Sequence, residues 1–152
     1  MKKSVKGNKV MYGVGWSKDY QYNRITAGRI LPELPGIICF SKVRRNVSTD
    51  LLLFADWREG LRTAVRQIFD PLCPKHEFLR KQLVEENLYY RYCIVDSSRA
   101  DLQNIFFILV DRYQPLLNQT GVKQSPAGYE EVSVFEKRVN DPMADIILPG
   151  VV

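Results

Sequence analysis

The stretch GIICFSKVRRNVSTDLLLFADWREGLRTAVRQIF occupies residues 36–69 and contains two different kinds of periodicity. Gly36 to Lys42 (GIICFSK) is a short apolar run, Arg44 to Asp50 (RRNVSTD) is polar and turn-like, and Leu51 to Ala55 (LLLFA) is a second apolar run. Two short apolar runs joined by a polar loop predict an antiparallel hairpin. From Trp57 to Phe69 the spacing changes. Trp57, Leu61, Ala64, Val65 and Ile68 fall on one side of a helix, with Asp56 as the expected N-cap and Gly60 as a weak point. Pro71 and Pro74 end that helix.

Further along the chain, Lys75 to Asn87 predicts a second helix with Phe78, Leu79, Leu83 and Val84 inward, and Tyr89 to Val95 (YYRYCIV) a third strand with at least one of its tyrosines buried. Ser97 or Ser98 caps a third helix that runs to about Tyr113. Its centre, Ile105 to Val110, is apolar all round and belongs in the middle of the fold; Pro115 stops it. At the start of the chain, residues 1–9 read as a frayed basic arm, and Val10 to Trp16 as a strand weakened by Gly13 and Gly15. Pro32 and Pro35 then punctuate the chain. Glu131 to Phe135 is a strand in a tail whose Pro-containing end could wrap the body or dock a partner. The order strand–strand–helix–helix–strand–helix predicts an α/β (α+β) fold: a small, mainly antiparallel three-stranded sheet flanked by helices. All 152 residues fit one domain, with a core at 35–120, a basic N-terminal extension at 1–34 and a C-terminal extension at 121–152.

Composition narrows the function classes. The chain is 45% hydrophobic and 26% charged, an ordinary globular balance. No apolar run approaches the roughly 18–20 residues that span a bilayer, and the basic start MKKSVKGNKV has no apolar segment behind it, so no membrane association and a cytoplasmic location are expected. Cys39, Cys73 and Cys93 are odd in number and widely spaced, and His76 is the sole histidine, so no disulfide framework, metal site or cofactor is expected. Net charge is +5, but residues 1–66 hold 13 Lys/Arg against 5 Asp/Glu, whereas residues 67–152 hold 9 against 12. Such asymmetry suits a face that meets a polyanion, and equally a solvated surface or an acidic protein partner.

Three segments resemble the GIY-YIG nuclease superfamily. PGIICF at 35–40 is similar to its P-G-I-Y-x-F strand. LLLFADWREGLRTAVRQIF at 51–69 is similar to its strand ending in Y-I-G, with the helix that follows and begins Leu-Arg. LVDRYQPLLNQTG at 109–121 is similar to the end of its last core helix, through Pro115 and Asn118. The resemblance implies cleavage of DNA phosphodiesters with one divalent metal: a Tyr from each signature strand at the nucleophile, an Arg on the first helix at the phosphate, and a Glu on the later helix at the metal. These roles fall on Ile38, Phe54, Ala64 and Phe106, with Asp56 in place of the signature glycine. None of the four can do its assigned chemistry. Asp101 and Asp111 lie five residues either side of Phe106, on other helix faces, and Arg62 lies on another face from Ala64. The resemblance therefore implies a catalytically inactive member, not an enzyme.

What remains for binding is basic. Arg58, Arg62 and Arg66 recur at i, i+4 and i+8, with Arg44 and Arg45 in the hairpin loop. The five would contact nucleic-acid phosphates in a salt-dependent, weakly sequence-specific way, or form a solvated helix face partly paired by Glu59. In the basic N-terminal segment, Tyr12, Trp16, Tyr20 and Tyr22 alternate with lysines, which suits base stacking on a single strand or packing of an extra strand. The expected function is a non-catalytic nucleic-acid-binding protein on a GIY-YIG nuclease-like scaffold. The alternatives are a protein–protein interaction or accessory module in a phage, plasmid or defence context, and a divergent metal-dependent DNA endonuclease.

Overall fold

A computed structural model describes residues 1–84, 86–118 and 128–139. Its elements are β1 (Lys2–Lys6), β2 (Lys9–Trp16), β3 (Tyr20–Gln21), α1 (Arg24–Ile30), β4 (Gly36–Arg44), β5 (Val47–Asp56), α2 (Leu61–Phe69), α3 (Glu77–Gln82), β6 (Leu88–Ile94), α4 (Arg99–Tyr113) and β7 (Glu131–Arg138). The central sheet has the order β3-β6-β4-β5 and is antiparallel throughout. A second, outer sheet has the order β1-β2-β7, with β2 and β7 parallel. The fold is α+β and mostly antiparallel, as expected. The expected three-stranded sheet gains a two-residue edge strand, β3, and the terminal extensions build a sheet of their own. Of the expected C-terminal extension, only 128–139 lies within the described residues; its Pro-containing end does not.

β4 explains the layering. Ile37 and Cys39 face one way and Ile38 and Phe40 the other, and all four have no exposed surface. An apolar run without alternation is what a strand covered on both faces requires. On one side Ile38, Phe40, Leu52 and Tyr90 pack with Ala27 and Leu31 from α1 and its C-cap, with Leu61, Val65 and Ile68 of α2, and with Leu83. On the other side Ile37, Cys39, Leu53 and Cys93 pack with Tyr12, Val14 and Trp16 of β2 and Leu102, Ile105 and Leu109 of α4. Each large side chain so buried contributes about 1.5–3 kcal/mol. At Gly36 no side chain fits, because a Cβ would lie 2.3 Å from the Cys93 carbonyl oxygen and 3.0 Å from Leu61.

Several boundaries differ from the sequence reading. The polar loop 44–50 is mostly strand: the hairpin continues through it to a two-residue turn at Arg45 and Asn46, both with positive φ. The first helix starts at Leu61, not Trp57. The Asp56 carboxylate accepts from the Glu59 and Gly60 amides, so it holds a turn before the helix rather than capping it, and Trp57 is 43% exposed. The second helix shrinks to a 3-10 turn at Pro74–His76 and the six residues of α3, with Phe78 and Val84 facing solvent. α1 was not expected. Asn23 caps it by accepting from the Ile25 and Thr26 amides. α4 is capped by Ser98 and buries Leu102, Ile105 and Leu109, while Phe106, Phe107, Ile108 and Val110 are partly buried.

Residues 1–9 are not frayed. β1 pairs with β2, and Lys3 bonds to Asp101 at the start of α4. Asp101 is 3% exposed, and its carboxylate also accepts from Tyr12 Oη (2.7 Å) and Ser97 Oγ (2.6 Å). Burial alone would raise this carboxyl, but the hydrogen bonds from Ser97, Tyr12 and Lys3 outweigh it and hold it at about 2. A depressed carboxyl stabilises the fold above its unfolded value, about 3.9, and that stability is lost as pH falls through the folded value. Urea unfolding should therefore show Asp101→Asn about 2 kcal/mol less stable than the parent at neutral pH, with the gap narrowing below about pH 4.

At the far end of α4, Gln114 takes the left-handed conformation, the buried Pro115 follows, and a 3-10 turn delivers Asn118 to the open edge of β5. There Asn118 Oδ1 accepts from the Leu53 amide (2.8 Å) and Nδ2 donates to the Leu53 carbonyl (3.0 Å), as a neighbouring strand would. Asn118→Ala should cost about 1–3 kcal/mol in urea unfolding and speed hydrogen exchange at the Leu53 amide; unchanged exchange there would disprove the clamp.

Candidate nucleic-acid interface

The four positions to which the resemblance assigns chemistry lie on four elements and do not all converge. Ile38 and Phe54 are cross-strand partners on β4 and β5, and Ala64 faces inward from α2; all three lie on the helical side of the central sheet. Ile38 is fully buried and Ala64 is 3% exposed, while Phe54 rests against the His76 ring. Phe106 lies across the sheet, packed into the core that α4 shares with β2. Neither neighbouring acid adjoins it: Asp101 is consumed in its own hydrogen bonds, and Asp111 is exposed one turn from the opposite end of α4. Among the described residues, no group of three or more His, Cys, Asp or Glu side chains could hold a metal ion.

The arginines fall into two groups. Arg44 and Arg45 end the hairpin, whereas Gly36 at the other end of β4 pairs with Asp56, just before Arg58. Eight strand steps of about 3.4 Å put roughly 27 Å between these ends. Arg58 lies in the turn before α2, so the expected i, i+4, i+8 stripe shortens to Arg62 and Arg66 on the helix. Arg62 Nε donates to the Leu31 carbonyl (2.9 Å), which ties one nitrogen of its guanidinium to α1's C-terminus and leaves the two terminal nitrogens for other contacts. Glu59 accepts from Gln67 instead of pairing the arginines, and among the described residues none of Arg58, Arg62 and Arg66 is in an ion pair. The unexpected helix adds to this face: α1 packs on α2 and carries exposed Arg24 and Arg29. Asn23 ahead of RITAGRI was the signal for it in the sequence.

The start of α2 is closed to anions by the chain itself. Leu34 and Pro32 carbonyls accept from the Leu61 and Arg62 amides, and Glu33 accepts from the Thr63 amide and hydroxyl. Gly60, at φ +96°, is held where a Cβ would strike Glu33. Contacts from this layer must therefore come from side chains. The N-terminal aromatics offer no stacking platform: Tyr12 and Trp16 are core residues, and Tyr20 and Tyr22 stack on Tyr90 and Phe69. No helix among the described residues is long and apolar enough to cross a membrane.

With this geometry in view, one family model matches residues 1–145, and its description is "Uncharacterised protein". The chain belongs to that family. No curated protein matches the chain significantly.

Two of the three cysteines, Cys39 and Cys93, are buried. Burial pushes the Cys39 and Cys93 thiols up to about 12, while Cys73 is only partly buried. A thiol reagent at mildly alkaline pH should label Cys73 in the native protein, and Cys39 and Cys93 only after denaturation. Prompt labelling of either buried thiol would contradict the packing.

Proposed function

We propose that this chain is a non-catalytic nucleic-acid-binding protein on a GIY-YIG nuclease-like scaffold, acting through the α1–α2 layer. The observation that carries the reading is the set of exposed arginines there: Arg58, Arg62 and Arg66, free of ion pairs among the described residues, beside Arg24 and Arg29 of α1. Guanidinium groups on one helical layer suit phosphate oxygens and carry no base-edge pattern, so binding is salt-dependent and weakly sequence-specific. The scaffold reading is supported by the element order β4-β5-α2-α3-β6-α4 and by the packing roles of Gly36, Leu61 and Asn118. Loss of chemistry is supported by Ile38 and Ala64, whose burial leaves no room for a reacting phosphate at those positions. A cytoplasmic location fits this reading.

Binding to a generic duplex and a single strand at several salt concentrations tests it. The double variant Arg62→Ala/Arg66→Ala should weaken binding about tenfold and lower the slope of log K against log salt by about 2. Arg44→Ala/Arg45→Ala should leave that slope unchanged. Absence of salt-sensitive binding by the parent would remove the nucleic-acid reading. Plasmid nicking with Mg²⁺ or Mn²⁺ that a point mutation abolishes would restore the nuclease reading. A second reading, a protein-interaction module, is favoured by the solvent-facing Leu72, Phe78 and Val84 around α3.

A further inference from the structure

Trp57, Phe78 and Phe135 are the exposed aromatic side chains among the described residues, and their surroundings differ in charge. Beside Phe78 on α3, Lys81 is paired with Glu77, and Arg80 donates Nε and Nη2 to the Ile68 and Cys73 carbonyls. Phe135 lies on β7 with Glu131 and Glu136. Trp57 instead directly precedes Arg58, in the turn that leads into α2 and its exposed Arg62 and Arg66. Among the described residues its ring makes no stacking or cation–π contact. A large flat ring thus stands open at the head of a row of guanidinium groups that have no ion pairs among the described residues.

The turn that presents this ring is held at several points. The Asp56 carboxylate accepts from the Glu59 and Gly60 amides, at 2.9 and 3.2 Å. The Leu34 and Pro32 carbonyls accept from the next two amides, those of Leu61 and Arg62. Glu59, the acid within the turn, accepts from Gln67 Nε2 at 2.9 Å and so is drawn to Gln67 and not to the arginines. Leu34, whose backbone lies against Gly60, is a second exposed apolar side chain at this end of α2. A tryptophan on an ordered turn supplies contact area at little cost in conformational entropy. Past it, Arg62 and Arg66 follow about 6 Å apart along the helix axis.

We propose that Trp57 is a base-stacking platform, and that the ligand of the α1–α2 layer is single-stranded nucleic acid. The strand's phosphates lie along Arg58, Arg62 and Arg66 while one base rests on the indole. This inference rests on the nucleic-acid reading above and adds the form of the polymer and the residue that selects it. A duplex keeps its base faces stacked inside, so it can use the arginines but not the ring. A single strand offers phosphates and base faces together, and stacking tolerates any sequence because every base has a π-face.

The full chain is titrated with one mixed-sequence strand, as DNA and as RNA, and with the DNA duplex of that sequence. At about 0.15 M salt, where exposed charges are screened, a single strand should bind more tightly than the duplex. Trp16 is 2% exposed, so quenching of tryptophan emission on binding reports Trp57. Trp57→Ala should weaken single-strand binding about tenfold. It should leave the slope of log K against log salt as it is, because the ring carries no charge, whereas Arg62→Ala/Arg66→Ala lowers that slope. Trp57→Phe, which keeps a ring, should recover part of the loss, and unshifted Trp16 emission in both variants shows the fold intact. Preference for either sugar supports the proposal and names the polymer. Salt-sensitive binding in which the duplex binds as tightly as the strands, or in which Trp57→Ala changes nothing, would overturn the proposal and leave the nucleic-acid reading in place. No salt-sensitive binding of any of the three would remove both.

Discussion

Because β4 turns Ile37 and Cys39 to one face and Ile38 and Phe40 to the other, none of them exposed, a layer must cover each side of the central sheet. α1, α2 and the segment at Leu83 cover one side. α4 and the outer sheet cover the other, which is why the chain's two ends are drawn into a common sheet, with β2 and β7 side by side. A strand enclosed this way has no polar surface to offer. The positions at which nuclease chemistry would be sought on β4 and α2 are occupied by side chains that the packing needs to be apolar. Placing a Tyr hydroxyl at Ile38 would bury an unpaired polar group in a close-packed interior, at a cost of several kcal/mol.

The two cores differ in chemistry. The helical-side core is mostly apolar, with the enclosed Tyr90 hydroxyl as a polar atom inside it, and arginines lie on the outer surfaces of α1 and α2. The core between the sheets has polar groups deep inside it, and most are tied together. Asp101 joins β1 and β2 to the start of α4. Glu136 of β7 accepts from Trp16, Tyr113 and Arg112 and so joins β7 to β2 and the end of α4. These links hold the outer sheet where apolar area alone gives little directionality. Arg91 packs among the same residues, and its Nε and Nη2 have no hydrogen-bond partner among the described residues.

The parts of the fold legible in the sequence were those with a local signature. β4, β5 and β6 appear as contiguous apolar runs because both their faces are covered, and α4 carries its Ser98 cap. β1 was not legible, since KKSVK lacks apolar alternation and is held by β2 and by Asp101, 98 residues away from Lys3. α1 was obscured by its seven-residue length, by Gly28 and by Ile25, which is 68% exposed. The start of α2 was misplaced because a capping signal was present at Asp56 but serves the turn before the helix. The five arginines fall into two groups for a geometric reason: residues 44–50 are polar yet remain in the ladder, so the hairpin carries Arg44 and Arg45 away from α2 instead of toward it. Phe106 shows a further limit. Counting along a helix finds a position but not the face of the sheet on which that helix lies.

The residues that carry the resemblance divide by what would replace them. Gly36 has backbone 2.3 Å from where a Cβ would go, Leu61 is wholly buried against that same approach, and Asn118 supplies both partners of Leu53 at an open strand edge. Each is fixed by geometry that few other residues satisfy, whatever the protein does. The positions assigned to chemistry have no such constraint: once a hydroxyl, a guanidinium or a carboxylate is no longer needed, an apolar side chain of suitable size stabilises the same site. Ile38, Phe54, Ala64 and Phe106 are what that substitution would produce. Selection for folding alone would preserve the first set and fill the second, so those landmarks bear on architecture, and function has to be sought at side chains the packing does not require. The exposed arginines of α1 and α2 are such side chains.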